Sequence, residues 1–313
     1  MSPSKRIRQT GKQASAILAA DWHLRPDVPV GRIDSYFAAM EKKVGFILAL
    51  SKQNACPILV AGDLGNKPLN NGWPTWLLEW TIEKFKGHDI ICIPGQHDLP
   101  NHQINQFEKS GMGVLTAAGA IRTMGIQKDE NKVVESQDGS FVIIPFPYGQ
   151  EISHLKLDVK HMIAMTHQPV LSGKSMFDGI QGIELLKQFP EYSLILSGDN
   201  HTPFVVEYEG RKLINPGSMM RMTADQADHK PRVYLWYAEG NTIEPVYLPI
   251  ESNVISREHI DVANERSNRF DALISRVKND VEIKLSYESN IETYFQKYRT
   301  EKRVKEKTWQ AVI

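Results

Sequence analysis

Short apolar runs alternate with longer, helix-spaced patterns in the first third of the chain. Residues 15–20, 57–61 and 89–93 are apolar runs of strand length, while 33–50 and 73–85 carry apolar positions at helical spacing. A strand-helix-strand-helix-strand order is typical of a layered α/β sheet with helical crossovers. We therefore expect a layered α/β sheet in this region.

The pattern changes after Gly113. Segments 132–135 and 141–145 flank Gln137-Asp138-Gly139, a composition that predicts a hairpin. Further strands are predicted at 161–166 and 193–197, and we interpret 204–208, 212–215, 232–237 and 242–248 as consecutive antiparallel strands. Two sheets packed face to face, with helices outside, fit this inventory.

The two ends of the chain differ from its body. Residues 1–14 include a basic segment that predicts a disordered arm, and contact of that arm with DNA is an open alternative. Beyond Pro249 apolar residues recur at helical spacing, at Phe270, Leu273, Ile274, Val277 and Val281. We therefore expect a main domain over 15–250 and a helical appendage over 251–313.

Composition limits the possible binding partners and the cellular location. Lys plus Arg and Asp plus Glu both number 37, so any nucleic-acid surface would be a local patch. Cys56 and Cys92 each lie in or beside a strand-like run, and we expect no disulfide and a cytoplasmic location. No apolar stretch approaches the ~20 residues that span a bilayer, so no membrane association is expected.

The candidate chemistry lies where the predicted strands end. Five strands are followed by acids or imidazoles: Asp21, His23, Asp63, His97, His167 and His201. The carboxyl ends of strands form the ligand crevice of an open α/β sheet. Carboxylate and imidazole without thiolate suit Mn, Fe, Zn or Mg. In an extended Asp21-Trp22-His23 segment, residues 21 and 23 would point the same way, and Asp63 could bridge two ions.

These residues occur in a recognisable order. Asp21-Trp22-His23, Gly62-Asp63, Gly95-Gln96-His97-Asp98, His167 and Gly198-Asp199-Asn200-His201 resemble the motifs of calcineurin-like metallophosphoesterases. The resemblance covers about residues 15–250. It implies a four-layer αββα sandwich with two mixed β-sheets, and hydrolysis of phosphoesters by two divalent ions. Manganese is the expected metal, with Mg, Fe or Zn as alternatives.

The resemblance also implies a role for each motif residue. Asp21, His23 and His201 would hold one ion, His167 the second, and Asp63 both. His97 would protonate the leaving oxygen, with its ring oriented by Asp98. Gln96 replaces the family's Asn, and Asp199 replaces its His. Both belong to the second site, which we interpret as a working site suited to harder ions; a weak or empty second site is the alternative.

A looser resemblance points to a subgroup. Asp21-Trp22-His23-Leu24, residues 214–218, Arg221 and residues 232–235 resemble SbcD-type nuclease subunits of double-strand-break repair complexes, including phage relatives. This implies a DNA exonuclease and endonuclease, in the host cytoplasm if the chain is viral. The implied partner is an SbcC-type ABC ATPase gripped by the C-terminal segment; packing of that segment on the body of the protein is the alternative.

Further residues outside the metal motifs are also candidates for a functional role. Trp73, Trp76 and Trp80 lie at helical spacing, which indicates either core packing or the homodimer face that the subgroup builds in this region. Arg221, Ser218 and His102 are candidate substrate contacts. Two other functions stay open: a small-molecule or nucleotide phosphoesterase, and a non-catalytic DNA- or partner-binding subunit with a degenerate second site.

Overall fold

The computed structural model describes residues 13–69, 72–126, 133–136, 139–173 and 178–256. The chain divides into two units, Met1–Ser256 and Arg257–Ile313, and every described residue lies in the first. The predicted arm lies outside the described residues except for Gln13 and Ala14. The predicted appendage lies outside them beyond residue 256.

The first sheet carries the strands predicted from the N-terminal pattern, and they are parallel. β1 (Ala16–Ala19), β2 (Ile58–Ala61), β3 (Ile90–Ile93) and β4 (Arg122–Thr123) are parallel neighbours, while β13 (Arg232–Tyr237) and β14 (Thr242–Tyr247) complete the sheet beyond β1. Helices α1 (Tyr36–Asn54) and α2 (Thr75–Phe85) connect the first three strands. Parallel neighbours require such crossovers, so all three strands end at the same edge.

The second sheet has the same general plan. β6 (Val142–Phe146), β7 (Met162–His167), β10 (Leu194–Gly198) and β12 (Arg211–Asn215) are parallel, with β5 (Val134–Glu135) and β11 (Phe204–Tyr208) antiparallel at the edges. The hairpin prediction is confirmed by the β5–β6 pair. Between β7 and β10 the chain forms β8 (Val170–Leu171), β9 (Ile180–Gln181) and α4 (Gly182–Gln188). Helix α3 (Gly111–Ala117) precedes β4.

The prediction of four consecutive antiparallel strands over 204–248 is wrong. β11 pairs antiparallel with β12 and β13 with β14, but β12 lies in the second sheet and β13 in the first. The linking segment crosses between the sheets with three methionines buried, Met219, Met220 and Met222. Strand periodicity reports which positions are buried, and it carries no information about which strand is the neighbour.

Alternate residues of each central strand face opposite layers. Ala16 and Leu18 of β1 belong to a core shared with β7 and β10 of the other sheet. Ile17 and Ala19 belong to a separate core, against α1 and α2. A third core lies between α4 and the outer face of the second sheet. The αββα sandwich is therefore confirmed. None of the described helices is both long enough and apolar enough to cross a membrane.

The tryptophans around α2 do not share one environment. The helix begins at Thr75, after Pro74, so Trp73 precedes it. Trp73 is 4% exposed and its ring lies against Gly65 and Gly111, where an added Cβ would come within 2.5 Å. Trp76 is 45% exposed and contacts Phe37 edge-to-face. Trp73 is a core residue, which removes it from the predicted homodimer face.

Candidate metal centre

The strand ends of both sheets meet at one place. Asp21 and Asp63 follow β1 and β2, and His97 lies in the 3-10 turn Gln96–Asp98 after β3. In the second sheet β7 ends at His167, which pairs in register with Gly198 at the end of β10. The segments after β1 and β2 also stay hydrogen-bonded, because His23 N donates to Asp63 O at 3.0 Å. Each sheet thus supplies part of one cluster.

The carboxylate of Asp63 lies at the middle of the cluster. Its Oδ2 is 3.4 Å from His167 Nε2, 3.8 Å from His23 Nε2 and 4.0 Å from His97 Nε2. These rings come from three different motifs. Asp63 Oδ2 is buried without a hydrogen-bond partner. An acid with imidazoles on several sides has the arrangement needed to bridge two cations.

Asp21, His23 and His201 form one compact group of potential ligands. Their ligand atoms all lie within 4.8 Å of one another. The Nε2 atoms of His23 and His201 face each other at 3.0 Å, and His201 Nε2 is 4.0 Å from Asp21 Oδ1. Two ring nitrogens and a carboxylate directed at one point suit a divalent ion.

Unpartnered buried atoms are concentrated at this place. Five belong to predicted ligands: Asp21 Oδ2, His23 Nδ1, Asp63 Oδ2, Gln96 Oε1 and His167 Nε2. A buried polar atom without a partner costs free energy, and most buried polar atoms in proteins have one. Divalent cations would satisfy the carboxylate oxygens and His167 Nε2, so the donor set fits the two ions that the resemblance implies.

Electrostatics of the cluster point the same way. Burial raises the pKa of Asp21 well above its usual value, and burial lowers the pKa of His23 to about 3. Burial also disfavours charge on His167, but Asp63 and Asp21 outweigh it and raise the His167 pKa to about 10. Burial likewise opposes ionisation of Asp63, yet His167 and His23 bring its pKa below the usual range. Asp63 therefore has an imidazole beside it that favours the charged form, and a metal ion would take over that charge.

Backbone conformation at the ligands departs from the extended form that we expected. Asp21, His23, Asp63 and Asp199 have φ of 51°, 47°, 51° and 76°, in the left-handed region. Asp21 and His23 do converge, but through this conformation and not through strand alternation. Trp22 between them is fully buried against Phe85. Non-glycine residues in this region cluster at functional sites because the surrounding structure must hold them there.

Three glycines that directly precede motif residues make the close packing possible. A Cβ on Gly62 would lie 2.1 Å from His167 Nδ1, one on Gly95 would lie 2.1 Å from Asp63 Oδ1, and one on Gly198 would lie 2.0 Å from Ala61 O. His167 Nδ1 donates to that same Ala61 carbonyl at 2.7 Å, which directs Nε2 at Asp63. From the sequence we assigned the three glycines no role, although a glycine directly before a predicted ligand in three motifs was a visible signal.

The expected role of Asp98 is wrong. Its buried carboxylate accepts hydrogen bonds from the backbone amides of Leu64, Gly65 and Gly95, at 3.2, 2.8 and 3.0 Å. These contacts tie the loop after β2 to the loop after β3, and no described contact joins Asp98 to the His97 ring. His97 is instead positioned by its own amide, which donates to Asp63 Oδ1 at 2.9 Å. Asp98 positions loops, and the ring of His97 stays 44% exposed.

Gln96 and Asp199, the two departures from the family pattern, lie together. Gln96 Nε2 donates to Asp199 Oδ1 at 2.6 Å, and that oxygen is 4.0 Å from His167 Nε2. Both side chains therefore border the second site, on the His167 side. Asp199 also supports the first group, because its amide donates to Asp21 Oδ1 at 3.2 Å.

Replacing Asp199 with histidine tests the altered second site. We expect Asp199→His to bind a second Mn²⁺ at least as tightly as the wild type, with activity preserved or improved, because histidine restores the family's ligand. Isothermal titration with Mn²⁺ and a phosphodiester assay would measure both quantities. A variant without metal and without activity would show that Asp199 does not belong to this site.

Two predicted substrate contacts have structural roles instead. Ser218 is fully buried, donates to Met220 O at 2.9 Å and accepts from Gln226 Nε2 at 3.1 Å. Arg221 is buried and donates to the carbonyls of Ala227 and Glu251 at 3.0 and 2.5 Å. Neither side chain is free for a substrate, so both expectations are wrong.

The backbone of the same segment supports the centre. Met219 N donates to Asp21 O at 3.0 Å and Ser218 N donates to His201 O at 3.2 Å. Lys43, buried in α1, donates from Nζ to Met219 O at 2.9 Å and thereby holds this segment. His102, the third candidate, is exposed, and its Nδ1 donates to Gln96 O at 3.1 Å. It lies at the edge of the cluster.

The calcineurin-like phosphoesterase family matches residues 15–203, more than half of the chain and all of the predicted ligands. The chain belongs to this family. The site described above is thus the candidate metal centre of a metal-dependent phosphoesterase. The family consists of hydrolases. No curated protein sequence matches this calcineurin-like phosphoesterase.

Three solved structures are similar to this calcineurin-like phosphoesterase at low sequence identity. An archaeal phosphodiesterase is 11% identical, with 74% of this chain and 99% of that chain covered and a TM-score of 0.40. A protein from Thermus thermophilus is 10% identical, with 76% and 100% covered and a TM-score of 0.45. A candidate 5′-nucleotidase from Staphylococcus aureus is 15% identical, with 77% and 54% covered and a TM-score of 0.43. Likeness at this level says nothing about the substrate.

Proposed function

We propose that the chain is a metal-dependent DNA nuclease, a subunit of a recombination or repair complex that hydrolyses backbone phosphodiesters. The observation that carries the proposal is the convergence on Asp63 of imidazoles from three motifs, beside the Asp21, His23 and His201 group. Two adjoining cation positions with a shared carboxylate suit a clamp on a phosphoryl group.

The site residues have the following proposed roles. Asp21, His23 and His201 would hold one divalent ion, Asp63 would contribute to both sites, and His167 with Asp199 and Gln96 would hold the second. When bound, the ions supply an activated water and neutralise charge on the phosphate. We assign His97 as the acid for the leaving oxygen. Its side chain is 44% exposed, so a substrate can reach it, and its Nε2 lies 4.0 Å from Asp63 Oδ2, beside the cluster. Asp63 Oδ1 accepts a hydrogen bond from the His97 amide and so positions the backbone of the proposed acid.

Exposure of the site favours a polymer over a small molecule. The side chains of His97 and His201 are 44% and 36% exposed, whereas the rings of His23 and His167 are buried. The buried rings of His23 and His167 lie inside the ligand cluster, while the exposed parts of His97 and His201 line an approach from solvent. A polymer backbone reaches such a site without a closing lid.

Partners follow from the looser SbcD-type resemblance. Residues 214–218, which contribute to that resemblance, lead into the segment that supports Asp21 and His201. We propose an SbcC-type ABC ATPase as partner, gripped by the C-terminal residues, and a homodimer through the exposed Trp76 with Phe37 and Trp80 beside it. A cytoplasmic location, in the host cell if the chain is viral, and manganese as the metal complete the proposal.

One assay separates this function from its rivals. Purified protein would be incubated with end-labelled linear duplex DNA, single-stranded DNA, a nucleoside monophosphate and bis(p-nitrophenyl) phosphate, each with Mn²⁺, Mg²⁺ or EDTA. We expect cleavage of DNA that needs Mn²⁺ and stops with EDTA. Metal content per chain, measured by mass spectrometry, would accompany each reaction.

Each rival predicts a different result in the same assay. Fast turnover of the monophosphate with intact DNA would indicate a small-molecule phosphoesterase. One ion per chain and no hydrolysis of any substrate would indicate a non-catalytic binding subunit. Either result would overturn the nuclease proposal.

A further inference from the structure

A tight turn at the rim of the metal centre has no part in the mechanism above. It comprises residues 147–150, where Gln150 N donates to Pro147 O at 3.0 Å and Gly149 has a φ of 80°. Glycine accepts this left-handed conformation without the steric cost that other residues meet. Tyr148 occupies the exposed tip of the turn.

The turn is fastened on two sides of the centre. Tyr148 N donates to Pro94 O at 3.0 Å, just before the segment that carries His97. On the other side, Gln168 Nε2 donates to Gln150 O, and Gln168 directly follows His167. The tip of the turn therefore lies between the loop of the proposed acid and the strand end of the second-site ligand.

An exposed aromatic pair stands at this position. Tyr148 is 36% exposed, and its ring centroid is 6.1 Å from that of His102, with 53° between the ring planes. His102 is fixed by its bond from Nδ1 to Gln96 O, the carbonyl next to His97. Both rings are thus attached by backbone contacts to the loop of His97, and both present surface to solvent.

Ring surface of this kind suits a flat, uncharged group and not the phosphate itself. Nucleobases stack on aromatic side chains independently of sequence, because every base has a π-face. A phosphodiester bound at the ions would place its leaving nucleoside on the side of His97, since that residue serves the leaving oxygen. The base of that nucleoside would then lie nearest to Tyr148 and His102.

We propose that Tyr148 and His102 form a nucleobase-binding subsite, which stacks on the base at the leaving side of the scissile phosphate. The subsite rests on the proposed function, in which the substrate is nucleic acid. A base must leave its pairing partner to stack on a side chain, so the subsite favours single-stranded or frayed DNA. It accepts any of the four bases.

The test compares cleavage rates of oligonucleotides that have or lack a base at one position. Single-stranded oligonucleotides with one abasic residue at successive positions would be cleaved with Mn²⁺, and each bond's rate would be read from a sequencing gel. We expect Tyr148→Ala to cleave fully based DNA about tenfold more slowly and Tyr148→Phe to match the wild type. The wild type should lose about tenfold at a bond whose leaving side is abasic, and Tyr148→Ala should lose nothing further there. Tyr247→Ala, which removes an exposed ring stacked on Arg232, is the matched control.

Binding of the same oligonucleotides in Ca²⁺, followed by fluorescence anisotropy, separates the two proposals. Binding that depends on both the base and Tyr148, without cleavage, would support the subsite and overturn the nuclease. Cleavage with equal losses for Tyr148→Ala on based and abasic DNA, or with no loss, would overturn the subsite and support the nuclease. Neither binding nor cleavage would overturn both. Melting temperatures near that of the wild type would show that each variant is folded.

Discussion

Asp63→Asn is expected to reduce phosphodiester hydrolysis to the background of the assay. Its carboxylate lies within 3.4–4.0 Å of ring nitrogens in His23, His97 and His167, and one of its oxygens fixes the His97 amide. Asparagine is nearly the same size, so the packing survives, but the neutral amide cannot bridge two divalent ions. Mass spectrometry of metal content should show the loss of at least one ion per chain.

A matched acid shows whether this loss is specific. Asp89→Asn removes a carboxylate at the opposite end of β3, where it pairs with Arg122 on the surface. It should leave both metal content and hydrolysis near wild type. Full metal content together with normal hydrolysis in Asp63→Asn would contradict the assignment of Asp63 as the bridge.

His97→Ala is expected to slow hydrolysis by about 100- to 10,000-fold, the range that general acids contribute. Metal content should stay near that of the wild type, because the buried ligands Asp21, His23, Asp63 and His167 remain. The combination of a slow reaction and bound metal distinguishes an acid from a ligand. Steady-state kinetics with Mn²⁺ and metal analysis on the same preparation would measure it.

Leaving-group chemistry sharpens the His97 test. The defect should be smaller for p-nitrophenolate, a leaving group that needs little protonation, than for a deoxyribose oxygen of DNA. His88→Ala, just before β3, is the control and should change neither rate. Loss of metal in proportion to activity would instead identify His97 as mainly a ligand.

The parts of this molecule that could be predicted depend on local pattern. Apolar runs at 57–61 and 89–93 correspond to β2 and β3, and residues that follow such strands converge because parallel strands end at one edge. This is why Asp21, Asp63, His167 and His201 could be placed near one another before any coordinates. The strand order and the direction of the chain are enough to predict that these residues lie close together.

The parts that could not be predicted depend on which groups meet across the fold. The family resemblance implied that Asp98 orients the His97 ring, but its hydrogen bonds go to amides of two loops. Arg221 had the charge for phosphate, yet the crossing between sheets places it against backbone carbonyls. A buried polar side chain takes the partner that is nearest in space, and residue type alone does not identify that partner.

Neither sheet holds a complete set of ligands. The first sheet contributes Asp21, His23 and Asp63, and the second contributes His167, Asp199 and His201. Small sliding of one sheet against the other would separate the bridging carboxylate from His167 while leaving every strand intact. We therefore expect metal binding to depend on the alignment of the two sheets. An event that shifts one sheet against the other would lower activity without changing any ligand.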